Sequence, residues 1–298
     1  MFSKPVSDAK AIFIVLLCYL TFSMADGLVK YLSAHFSPIT LLFWTGVFTL
    51  ITMLVYGYWR GFQRSFTSNR WRYHLFKGSY NVIFGIVVVY ALGHTTFAEY
   101  YMIIFTAPMW VIIFSMLMLK EPFDKVRTMC VLMGFSVIIY VFAPSGEMTL
   151  GLGALATLSC AICAAFNMIY IRKYLRGEPP ALLGGVSATM QVLALMFFAV
   201  PQTNFSLLVE YLPYFALAGV GVFSAVVLLA NAYHAASHAA ILAPFQYSQM
   251  VYGVIIGFLV FSEVPTSRTM VGSLTLMFIG LGLFWYDYNN KKSLKKYA

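Results

Sequence analysis

Two carboxylic acids, Asp26 and Glu99, stand in otherwise apolar stretches and are the side chains best placed to carry chemistry. An acid in such a run can exchange a proton as a passenger binds or leaves, so both are candidates for proton coupling. Each also has a local structural reading. Lys30 follows Asp26 by one helical turn, the i,i+4 spacing of an ion pair that would neutralise both. Thr96-Phe97-Ala98-Glu99 has the form of a capping box, in which the glutamate satisfies backbone N–H groups at a helix start.

A second set of groups suits a polar, planar ligand. His238, Leu242, Gln246 and Gln249 recur at three- and four-residue steps and share one helix face. Pro244 interrupts that stretch and frees a backbone carbonyl, which suits a wall facing a water-lined cavity. Gln246 and Gln249 are therefore candidate ligand contacts, with interhelical hydrogen bonding as the alternative. Asn81, Asn167 and Asn231 add amides; Tyr101, Phe105, Trp110 and Phe245 add rings for stacking. Aromatic residues are 17% of the chain, so core or lipid-facing packing competes for each ring. Gly253 and Gly257 form a GxxxG suited to close helix packing.

Two patterns mislead. Cys160-Ala161-Ile162-Cys163 has CxxC spacing but no second ligand pair, and Gly151 to Ala156 mimics a dinucleotide fingerprint with no strand before it. No P-loop, HExxH or nucleophile elbow occurs, which argues against an ATP-driven pump. No metal or cofactor is expected.

The elements that must position these groups follow from composition. Of 298 residues 61% are hydrophobic and 10% charged, where a soluble domain has roughly a quarter charged. That excludes a disordered chain, a cytosolic enzyme and a secreted disulfide scaffold; the four cysteines all lie in apolar runs. Apolar runs bounded by charges, Gly and Pro mark ten membrane spans, at about 10–31, 38–59, 74–93, 97–119, 126–143, 151–172, 181–200, 211–231, 238–261 and 268–287. With the N-terminus in the cytoplasm, 17 of the 19 basic residues fall in cytoplasmic segments, leaving Lys30 and Arg268 outside. This tally assigns Lys77 to the loop after span 2 and leaves no basic residue inside the central spans. The net charge of +9 is then a topology signal and not a nucleic-acid surface.

Three landmarks recur at nearly one spacing: Lys30 and Lys173 (143 apart), Pro38 and Pro180 (142), Glu121 and Glu263 (142). Five spans per half is an odd number, so the halves enter the membrane in opposite directions. The expected fold is an all-α, ten-span membrane protein built as a 5+5 inverted-topology repeat, N-in and C-in, with halves 1–145 and 146–298. Glu121-Pro122, Glu263-Val264-Pro265 and the segment from Ala243-Pro244-Phe245-Gln246-Tyr247 onward resemble the EamA-type drug/metabolite transporter superfamily. The stretch Ala239 to Pro265 is similar to its branch of bacterial S-adenosylmethionine and riboflavin uptake carriers. The resemblance implies a multi-pass inner-membrane secondary carrier, working by alternating access around a central cavity.

The expected function is therefore secondary transport of a small organic metabolite that is planar, nucleoside-like, flavin-like or amino-acid-derived. A drug or metabolite exporter of the same fold is the nearest alternative. A lipid flippase or membrane-embedded enzyme stands further off, since an enzyme would gather several acids and histidines at mid-depth. Expected partners are the substrate and the bilayer, with small-residue faces that permit a homo-oligomer.

Overall fold

The computed structural model of the chain describes residues 8–60, 68–120, 125–142, 151–235 and 242–296, and all regular structure among them is helical. Ten helices follow in order: α1 (Asp8–Ser33), α2 (Pro38–Arg60), α3 (Trp71–His94), α4 (Phe97–Leu119), α5 (Lys125–Phe142), α6 (Leu152–Tyr174), α7 (Pro180–Gln202), α8 (Phe205–Ala235), α9 (Ser248–Phe261) and α10 (Ser267–Lys296). Seven of these described helices, α1 to α4 and α6 to α8, contain stretches long and apolar enough to cross a membrane. Shorter apolar helices, Thr128–Val137 and Phe245–Phe261, fall within the expected fifth and ninth spans. Large apolar side chains such as Phe13, Ile83, Leu117, Phe197 and Leu259 point outward, as lipid contact requires.

Local signals set several helix ends. Pro38 opens α2 at a position whose N–H would lack a partner in any case, and Ser37 beside it accepts the Thr40 N–H at 3.3 Å. Within α4 the helix breaks between Phe97–Ile104 and Ala107–Leu119. Pro108 has no N–H to give the Ile104 carbonyl, so the turn at Phe105 and Thr106 tightens before the helix resumes. Pro244 acts similarly ahead of α9, where Ala243–Tyr247 form a 3₁₀ turn. α4 and α9 also end alike, on the two non-glycine residues described in the left-handed conformation, Lys120 (φ 56°) and Ser262 (φ 54°), 142 residues apart (120 and 262).

The helix directions can be read from which ends meet. At one end of the bundle Lys30 (α1) reaches the Thr95 carbonyl and Glu263, after α3 and α9 respectively. Ser37, before α2, lies 3.5 Å from Gln202, the last residue of α7, and His35 meets Tyr211 of α8. At the other end Arg70, before α3, donates to the carbonyls of Tyr174, the last residue of α6, and of Arg176 just after it. There too, Lys173 donates to the Met118 carbonyl of α4. Thus α1, α3, α7 and α9 run one way and α2, α4, α6 and α8 the other. The principal neighbours are α1 with α8, α2 with α7, and α3 with both α6 and α7. The described core concentrates where α4 meets its neighbours, with Phe97, Tyr101, Phe105 and Met250 buried together.

Candidate functional site

A cavity of about 620 Å³ opens between α1, α2 and α3 on one side and α6, α7 and α8 on the other. Volumes of a few hundred to a thousand Å³ suit a small organic ligand. Most of its wall is apolar, including Leu41, Leu42, Phe84, Val88, Val222 and Val226. Against that wall stand Asp26, Thr45, Thr49, Lys77, Asn81, Asn167, Ser187 and Gln191.

Three residues expected from sequence meet here: Asp26, Asn81 and Asn167. Asp26 is not paired with Lys30. Its Oδ2 accepts the Tyr101 hydroxyl at 2.9 Å, while Lys30 Nζ turns to Glu263 Oε1 at 2.8 Å. The i,i+4 spacing loses because Glu263 offers Lys30 a full counter-charge and its second oxygen also caps α4, accepting the Phe97 N–H at 2.7 Å. Asn81 donates to Ser187 Oγ at 3.0 Å, which ties α3 to α7, and its carbonyl oxygen is buried without a partner. The Asn167 carbonyl oxygen is in the same condition.

The other expected contacts lie elsewhere. Glu99 completes the capping box with Thr96 and does not line the cavity. Tyr101 and Phe105 are buried in the core; Tyr101 bears on the site through its bond to Asp26, and Phe105 packs on Tyr247. Trp110 packs edge-on against Phe135. Asn231 is exposed, and Phe245 packs against the buried cluster that includes Val15, Tyr19 and Leu242. Gln246 and Gln249 are half-buried outside the cavity lining. His238, Glu121, Pro122 and Ala239 fall outside the described residues.

Lys77 is the residue that sequence reasoning misplaced. Far from lying in a solvated loop, it is 6% exposed, in the second turn of α3, and lines the cavity. Its Nζ donates to the Leu183 carbonyl at 3.1 Å and to Ser187 Oγ at 3.0 Å. Two helical patterns carried the signal: Lys77 with Asn81 on α3, and Ser187 with Gln191 on α7, each one turn apart on a single face. Gln191 reaches across to the Leu42 carbonyl of α2. Thr45 Oγ1 is buried without a partner.

A polar seam lies about one turn before Lys77 on α3. His74 Nε2 lies 3.0 Å from Glu178 Oε2, Arg70 lies 4.0 Å from the other oxygen, and Tyr73 stacks on Tyr174. Burial alone would raise the Glu178 pKa. Hydrogen bonds from Ser68 and His74, with the charges of His74 and Arg70, outweigh it and hold the carboxyl below its ordinary value.

A bundle of apolar helices around a central amphipathic cavity has the form of a carrier, and sequence comparison decides which kind. The model of the EamA-like transporter family matches the chain twice, over residues 9–143 and 151–286. The chain belongs to the EamA-like transporter family. Its two matched segments meet at residues 144–150, between α5 and α6, and the cavity is lined from both of them. A solved crystal structure superimposes with a TM-score of 0.62 over 92% of this chain and 96% of its own, at 16% identity, a likeness of fold alone. No curated protein matches the sequence. Membership makes the chain a multi-pass membrane transporter.

Proposed function

We propose that this EamA-like transporter is a secondary carrier that moves a small organic metabolite across the bacterial inner membrane by alternating access. The observation that carries the reading is the cavity between α1–α3 and α6–α8, with one acid, one lysine and several amides and hydroxyls on an otherwise apolar wall. Such a wall accepts a ligand with an apolar or planar body and a few polar groups. The bundle is a 5+5 inverted repeat of residues 1–145 and 146–298, N-in and C-in. Packing supports the inverted repeat: exchanging α1–α5 with α6–α10 turns the α1–α8 contact into α6–α3, and leaves α2–α7 and α4–α9 unchanged. The opposed directions of α1 and α6, and the matching left-handed ends of α4 and α9, support it also. Rocking of one half against the other then exposes the site to each side in turn. Asp26, held by Tyr101 at the cavity wall, is the coupling acid.

The test is uptake into proteoliposomes holding the full chain, with and without a pH gradient. Labelled metabolites are supplied one at a time, starting with S-adenosylmethionine, riboflavin, nucleosides and amino-acid derivatives. Saturable accumulation of one class is expected. Equal leakage from loaded and protein-free vesicles across the panel would count against the carrier reading.

A further inference from the structure

Lys77 takes the substrate class further, on the footing of the carrier reading above. Burying an ammonium is strongly unfavourable unless a counter-ion compensates it. Lys77 is buried, yet among the described residues no carboxylate lies within ion-pair distance of its Nζ. Both of its acceptors, the Leu183 carbonyl and Ser187 Oγ, are neutral. An ammonium has three N–H donors, so one is left for a ligand.

The acid in the same cavity does not serve Lys77. Asp26 sits one turn from Lys30, which reaches Thr95 beyond the far end of α3. Thr95 is 18 residues past Lys77, on the order of 27 Å of helix rise. The two charges thus stand towards opposite ends of the cavity, which leaves Lys77 open to an anion brought by the passenger. In the lining of the same cavity, the carbonyl oxygens of Asn81 and Asn167 are buried acceptors without donors. A ligand that satisfies this end brings one negative charge for Lys77 and an N–H or O–H for the amides. A phosphate monoester fits poorly, because its second negative charge would meet a single lysine and share the cavity with Asp26.

We propose that the cavity recognises an organic carboxylate bearing a neighbouring amino or hydroxyl donor, its acid group seated on Lys77 and the donor on Asn81 and Asn167. The passenger's apolar body lies along Phe84 and Val88 towards Asp26.

The test compares acids with their amides on the full chain in nanodiscs, reading ligand-dependent thermal shifts and counterflow. The probes are phenylalanine, 3-phenyllactate and tryptophan, each against its carboxamide. An acid is expected to bind about ten- to a hundredfold more tightly than its amide, the range of one charge-assisted hydrogen bond. Lys77→Met keeps an unbranched side chain of similar length and should erase that preference while amide binding persists. Lys77→Gln serves the same comparison if the methionine variant folds poorly, and the wild-type acid–amide ratio needs no variant. Acids and amides binding alike, or a preference that survives both substitutions, overturns the carboxylate assignment and leaves the carrier reading standing. No binding or counterflow by any probe, together with no uptake across the metabolite panel, overturns both.

Discussion

Glu263 holds two things at once, and its substitution makes a quantitative test of how the bundle closes at the Lys30 end. One oxygen faces Lys30 Nζ at 2.8 Å and the other accepts the Phe97 N–H at 2.7 Å. The side chains are 12% and 19% exposed, so the pair is neither a solvated surface bridge nor fully dry. Fully buried pairs cost about 3–5 kcal/mol when one partner is removed, and exposed ones about 1 or less. Glu263→Gln keeps one acceptor for two donors, so either Lys30 or Phe97 loses its bond; a loss of about 2 kcal/mol is expected. Lys30→Met leaves the carboxylate with the Phe97 N–H alone and should cost about the same. In the double variant neither charge remains, and the combined loss should fall short of the sum by about 1–2 kcal/mol. Denaturant-driven unfolding in one fixed detergent, read at the midpoint for all four proteins, closes this double-mutant cycle. Additive losses within about 0.5 kcal/mol would refute the argument that the pair acts as a unit.

Three further outcomes follow from single contacts. A β-carbon at Gly219 would meet Thr49 N at 2.7 Å and the Phe48 carbonyl carbon at 2.8 Å. Backbone cannot swing aside, so Gly219→Ala should part α2 from α8, cost about 1–3 kcal/mol and lower the apparent melting temperature; wild-type stability would contradict this close approach. Asp26→Asn keeps an acceptor for the Tyr101 hydroxyl but has no proton to give, so folded yield should hold while uptake stops responding to a pH gradient. Unchanged pH dependence removes Asp26 from coupling. Glu178 has a folded pKa below its unfolded one, so its stabilisation is present above the unfolded value and lost as pH falls through the folded one. Glu178→Gln should therefore be less stable than wild type near neutral pH, with the gap closing in melts below about pH 4; a constant gap down to pH 2 would contradict the assignment.

What could be read from sequence was what is local. The capping box at Thr96 and Glu99 closes within one turn, and it formed as spaced. Pro244 perturbs its own helix whatever surrounds it, so the break ahead of α9 was legible too. The site was less so, because its geometry is set by which helices cross. The expected third span opens at about residue 74, and the basic tally counts Lys77 with the loop before it, because a lysine near a span end is equally compatible with a solvated head. Only α7, bringing Leu183 and Ser187 against α3, decides the matter. The sequence offers Tyr101 as a stacking ring, but burial against Phe97 turns its hydroxyl, not its face, towards the site. Gln246 and Gln249 share a helix face, and periodicity cannot say whether that face meets the cavity or another helix. Glu263 was legible as a landmark; its role needed α1 and α4 from the distant half of the chain.

The central claim, that one cavity opens by turns to each side of the membrane, is tested most directly by a single cysteine at Ala188. This α7 residue is buried and lines the cavity wall. In a background lacking Cys18, Cys130, Cys160 and Cys163, Ala188→Cys would be exposed to a membrane-impermeant maleimide in right-side-out and in inside-out vesicles. Alternating access predicts labelling from both sides. Labelling from one side alone under every condition, or from neither, would contradict it.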